Sequence, residues 1–133
     1  MTENPTASDV DPTLEADVFS RNCSSRAVLQ NATSRWGLLA LVALRDGDLR
    51  FSALRRRVDG VSERMLSQTL QSLERDGFVN REVLQAIPPR VEYSLTELGA
   101  AAAERLADLI DLVEGHIAEV HESQEAHDAR RNG

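Results

Sequence analysis

No lysine occurs among the 133 residues, and cysteine occurs once. A single cysteine excludes an intrachain disulfide and fits a reducing, cytoplasmic setting. Long apolar runs are also missing. The longest, Leu38 to Leu44, falls far short of the roughly 20 residues that cross a bilayer. The first twenty residues are polar and acidic, so no signal peptide and no membrane partner are expected. There is no glycine-rich phosphate loop, no nucleophile motif, no cysteine pair for a metal and no histidine near Cys23 in sequence. Neither enzyme activity nor a cofactor is therefore expected.

The missing lysine means that every basic side chain is arginine, whose planar fork suits phosphate and guanine edges. A genome rich in G and C accounts for the same skew, because the substitution is global. The formal net charge of -7 argues against a nucleic-acid partner until it is resolved by segment. Residues 1–20 hold five acids and no base, and residues 97–133 hold nine acids against three Arg. Between them, residues 21–96 hold twelve Arg against eight acids. A basic middle lies between two acidic flanks, and the sum hides it.

The pattern within that middle is specific. Phe51 to Val58 reads as a helix, Asp59-Gly60-Val61 as a tight turn, and Ser62 as the cap of a second helix, Glu63 to Asp76, that stops at Gly77. Phe78 to Leu84 and Arg90 to Leu95 read as strands flanking Gln85-Ala86-Ile87-Pro88-Pro89. Helix, turn, helix and hairpin in this order make a winged helix-turn-helix, whose second helix has the size and polarity to enter a DNA major groove. In that helix Leu66, Leu70 and Leu73 share one side with Met65 beside them, while Arg64, Ser67, Gln68, Gln71 and Arg75 share the other.

The surroundings complete the fold class: mainly α with a small β-hairpin wing, followed by a long C-terminal dimerisation helix. Residues 1–20 are expected to form a disordered or loosely ordered acidic tail, and residues 21–96 the DNA-binding domain. Its first helix runs from Ser24 or Ser25 to Ala32. Ser34 caps a second, Arg35 to Arg45, whose Trp36, Leu38, Leu39, Leu41, Val42 and Leu44 leave almost no polar face, so it should be buried centrally. Leu49-Arg50-Phe51 adds a short third strand. Thr96 caps a helix over 97–122, on which Leu98, Ala102, Leu106, Leu109, Val113, Ile117 and Val120 form one stripe widened by Ala101, Ile110 and Leu112. That stripe exceeds what one small domain covers, so a symmetric homodimer is expected, against the alternative of a helix folding back on its own domain. Residues 123–133 read as a polar, frayed tail.

At this point the chain resembles the HxlR family of bacterial winged-helix regulators. The resemblance spans roughly Cys23 to Val113 and rests on Arg35-Trp36-x-Leu38-Leu39, Arg50-Phe51-x-x-Leu54-Arg55, Gly60-Val61-Ser62-x-Arg64-x-Leu66-Ser67-Gln68-x-Leu70-x-x-Leu73-x-x-Asp76-Gly77 and Pro88-Pro89-Arg90-Val91-Glu92-Tyr93-x-Leu95-Thr96-x-x-Gly99. Two places depart from the family pattern. Thr33-Ser34-Arg35 stands where a small, glycine-rich pair usually precedes a Lys-Trp step, and Ser24 stands where Pro often follows the Cys. The resemblance implies a DNA-binding transcriptional regulator, by default a repressor. It also implies that a Cys at the place of Cys23 senses oxidants, quinones or aldehydes in some members.

A two-fold dimer would read an inverted-repeat operator in double-stranded DNA, with half-sites about 10 bp or a multiple apart. Arg64, Ser67, Gln68 and Gln71 are the candidates for base edges, since Arg suits guanine and Gln suits adenine. Ser62 would hold a phosphate at the helix start. Arg50, Arg55 and Arg56 would lie near backbone phosphates, and Arg90 at the wing would reach phosphate or an adjacent minor groove.

Cys23 precedes a helix start with Arg21 and Arg26 close in sequence, a setting that favours thiolate. It is read either as a sensor for a small electrophile or oxidant or as an inert, partly buried thiol. Three alternatives stay open. Glu114-x-His116 and His127 echo a C-terminal zinc site, but Arg130 occupies the last ligand place, and His116, His121 and His127 share no face, so no metal is expected. A small apolar effector at a dimer interface is neither supported nor excluded. A winged-helix protein-interaction module without DNA binding suits the acidic total, though not the polar second helix.

Overall fold

The computed structural model describes residues 17–133. The expected disordered tail therefore lies outside the described residues up to residue 16. From residue 17 the chain enters a turn tied to the first helix, where the Arg26 guanidinium donates to the carbonyls of Val18 and Phe19, both at 3.1 Å. The elements are α1 (Ser24–Thr33), α2 (Arg35–Ala43) with a 3-10 turn at Leu44–Asp46, β1 (Leu49–Arg50), α3 (Phe51–Arg57), α4 (Glu63–Arg75), β2 (Val79–Gln85), β3 (Arg90–Leu95), α5 (Glu97–Gly115) and α6 (Ile117–Asn132). The strands form an antiparallel sheet in the order β1-β3-β2. Leu49 lies opposite Tyr93 and Val79 opposite Leu95, with a register shift between Val83 and Gln85 near the wing tip.

Local chemistry sets these boundaries. The side chains of Ser34, Ser62 and Thr96 accept from the N–H groups of Gly37, Met65 and Gly99, satisfying donors that a helix start leaves open. Gly60 in the turn and Gly77 after α4 have φ of 94° and 85°, the left-handed region where a side chain is strained.

The core gathers around α2. Leu41, Leu54, Leu66, Leu70 and Leu73 are almost fully buried, together with Ala40, Leu44, Val58, Val61, Phe78 and Val79. Each such leucine contributes about 1.5–3 kcal/mol of transfer free energy. On the far side α5 packs on α2, with its small residues Ala103 and Ala107 buried, while Gly99 at the start of α5 lies against Phe78 and Leu95. The Arg45 fork closes this junction at its rim by donating to both carboxylate oxygens of Glu104, at 3.1 and 3.0 Å.

Four expectations are corrected. The helix Arg35 to Arg45 ends at Ala43 and is not buried all round: Leu39 remains 36% exposed among the described residues. Met65 does not join the leucine face but stands 42% exposed on the flank of α4. The single stripe of the C-terminal helix divides: Ala102 and Leu106 pack on the core beside buried Ala103 and Ala107, while Leu98, Leu109, Leu112, Val113, Ile117 and Val120 stay exposed. That helix also breaks at His116 (φ -120°, ψ 18°), and α6 then remains helical to Asn132 where polarity predicts a frayed tail.

Gly99 packs directly against the chain just before β2, since a Cβ there would collide with the carbonyl oxygen of Phe78. We expect Gly99→Ala to lower stability by about 1–3 kcal/mol through overpacking, measured by urea unfolding.

Candidate nucleic-acid interface

α4 is amphipathic at a 3.6-residue period, and burying Leu66, Leu70 and Leu73 decides what its other side presents. Arg64, Gln68 and Gln71 point to solvent and Ser67 is half-buried, with the Gln71 amide donating to the Ser67 hydroxyl at 3.2 Å. Ser62 is exposed at the helix start, where its hydroxyl already caps the Met65 N–H at 3.0 Å.

The phosphate candidates are brought together on one side. Arg50 and Arg90 line an open cleft of about 340 Å³ with Phe51, Ser52, Pro89 and Val91. Arg55 and Arg56 line a neighbouring cleft of about 310 Å³ with Phe51, Ser52 and Glu63. Phe51 and Ser52 belong to both, so one basic surface runs from the wing to the start of α4. Arg55 is not an unengaged cation there: its Nη1 lies 3.3 Å from Oε2 of Glu63. Gln68 and Gln71 border a separate depression of about 510 Å³ with Ser72 and Arg75.

Three surface residues of this region are not among the contact candidates drawn from the sequence, although the sequence already places Arg75 and Met65 on α4. Arg75 follows Gln71 by four and Gln68 by seven, a spacing already legible in the chain. Ser52 gains its place from β1 and the wing, which sequence spacing does not reveal. Met65 is apolar, and only its neighbours (Asn31, Ser34, Gln68, Thr69 and Ser72) show that it borders a surface depression. An apolar side chain there suits contact with a thymine methyl.

A family model described as HxlR-like helix-turn-helix matches residues 32–121. The chain belongs to the HxlR family. The HTH-type transcriptional regulator YtfH of Escherichia coli is 55% identical over 106 residues, which cover 80% of this chain and 84% of that protein. The structure of a transcriptional regulator ytfH from Salmonella typhimurium matches with a TM-score of 0.77 at 53% identity, covering 80% of this chain and 96% of that one. The redox regulator HypR in its reduced form matches with a TM-score of 0.66 at 34% identity, over 74% and 97% of the two chains. The protein is a transcriptional regulator with a DNA-binding helix-turn-helix. No helix among the described residues is long and apolar enough to cross a membrane.

In this HxlR-family chain Cys23 is the N-cap residue of α1 and is buried, with 5% exposure. Burial pushes the thiol up. The Ser25 hydroxyl 2.7 Å from Sγ pulls it down, as do the backbone N–H groups of Arg26 and Ser25, and nearby Asp17 opposes them. The balance lies below the ordinary cysteine range. The nearby guanidinium groups credited from sequence are not among these causes. Arg26 is committed to the Val18 and Phe19 carbonyls. His116 and His127 contact the Leu112 carbonyl and Asp128 respectively. No group of three or more His, Cys, Asp or Glu able to hold a metal stands together among the described residues.

A lowered thiol pKa means that thiolate forms at lower pH than in an ordinary cysteine. The pH midpoint of Cys23 alkylation by iodoacetamide is expected below that of a free cysteine peptide. In Ser25→Ala it should move upward, because the largest stabilising contact to Sγ is gone.

Proposed function

We propose that this regulator binds an inverted-repeat operator as a homodimer, represses transcription from it, and releases it when an oxidant or small electrophile modifies Cys23. The observation that carries the reading is α4. Three leucines anchor one side in the core, and Arg64, Ser67, Gln68 and Gln71 are left for base edges on the other. Arg50, Arg55, Arg56 and Arg90 supply the phosphate contacts, with Ser62 at the helix start, and these set register rather than sequence.

Dimerisation is supported by the apolar surface of Leu98, Leu109, Leu112, Val113, Ile117 and Val120, which stays exposed along α5 and α6 among the described residues. A second copy packed there by a two-fold axis buries it and pairs two reading helices. The redox part draws support from the lowered pKa of Cys23 and from the likeness to HypR, described as a redox regulator. The thiol is buried, so modification requires a local opening around it.

The test is a fluorescence-anisotropy titration against DNA from the protein's own upstream region, reduced and after diamide, with Cys23→Ser alongside. Loss of binding on oxidation that vanishes in Cys23→Ser is the expected result. Binding indifferent to oxidant turns the search to a small-molecule or metal effector, and no specific binding in either state favours a protein-interaction module. In the same titration Arg64→Ala should cost about 1–3 kcal/mol and relax one base position. Arg56→Ala should weaken all sequences alike and reduce the salt slope by about 1.

A further inference from the structure

We propose that Glu63, held by Arg55, reads a cytosine in each half-site and so is a specificity-determining residue of the DNA interface. The inference rests on the DNA-binding reading above and deepens it.

Glu63 is the first residue of α4 and 74% exposed at its side chain. It precedes Ser67 by four residues and Gln71 by eight, so the three form one row along the helix. Two members of that row, Ser67 and Gln71, are already tied to each other at 3.2 Å. Whatever groove edge Ser67 and Gln71 meet, Glu63 meets its continuation at the end of α4 that enters the groove first.

A carboxylate in that place is costly beside a polyanion unless a donor receives it. Arg55, from α3, supplies one such donor, with Nη1 3.3 Å from Oε2. The pair is exposed on both sides, so in water it adds little stability. Its geometric consequence is larger. One carboxylate oxygen is engaged, the side chain is oriented, and the remaining Arg55 N–H groups stay available for a phosphate. The other oxygen, Oε1, is left as an acceptor. In the major groove the exocyclic amine of cytosine is a donor beside a C5–H, with no acceptor of its own base next to it. Adenine places its N7 lone pair beside its amine, which repels a carboxylate. A lone oriented acceptor therefore selects cytosine.

The test is selection of binding duplexes from a randomised double-stranded library, run in parallel with wild type, Glu63→Gln and Glu63→Ala. Thermal melting accompanies it, to show that each variant is folded. The wild type is expected to select a motif with a cytosine column in each half-site, and to lose about tenfold in affinity when that column is changed to thymine. Glu63→Gln, which gains a donor beside its acceptor, should convert that column to adenine and leave the others unchanged. Glu63→Ala should leave it degenerate. A merely helix-stabilising role for Glu63 changes no column. Identical motifs from all three proteins, or a wild-type motif indifferent to thymine in that column, overturn this inference and leave the DNA-binding reading standing. A wild type that selects no motif overturns both.

Discussion

The burial of Leu66, Leu70 and Leu73 on α2 and its neighbours is the constraint on which the rest of the molecule depends. A helix with one leucine face has one rotational setting, and that setting decides which polar residues look outward. Were those leucines loosely held, Arg64, Gln68 and Gln71 would have no defined direction. α2 is packed from another side by α5, whose Ala103 and Ala107 are buried. Reading helix, central helix and C-terminal helix thus form a continuous packed series. A close-packed interior transmits displacement rather than absorbing it.

Electrostatics follows the same division. The chain as a whole is acidic, yet Arg50, Arg55, Arg56 and Arg90 gather between the wing and the start of α4, around Phe51 and Ser52. Net charge governs solubility and long-range repulsion, whereas a groove responds to the local field. Glu63 is the exception within the basic surface, and one of its carboxylate oxygens is engaged by Arg55.

Cys23 belongs to another part of this architecture. It caps α1, the helix whose Asn31 amide reaches the Asp76 carboxylate at 2.7 Å, immediately after α4. A change of volume or charge at the thiol acts on a helix start whose far end touches the end of the reading helix. The lowered pKa arises from the Ser25 hydroxyl and helix N–H groups against burial, a local hydrogen-bonding effect that charge counting along the chain does not reveal.

Much of the molecule is legible in the chain because its signals are local. The caps Ser34, Ser62 and Thr96, the turn at Gly60, the stop at Gly77 and the 3.6-residue spacing of the α4 leucines each depend on a few neighbouring residues. The structure has them where the sequence puts them. Tertiary structure decided what depends on which surface meets which. It sorted the C-terminal apolar residues into a core contact that includes Ala102, Ala103, Leu106 and Ala107 and an exposed remainder, left Leu39 and Met65 partly exposed among the described residues, and brought Ser52 between the wing and α4. It also directed Arg55 to Glu63 and Arg26 to backbone carbonyls. Periodicity states that a residue has a side. Which neighbour takes that side depends on the three-dimensional sum of shapes, and a spacing rule along one helix carries no information about it.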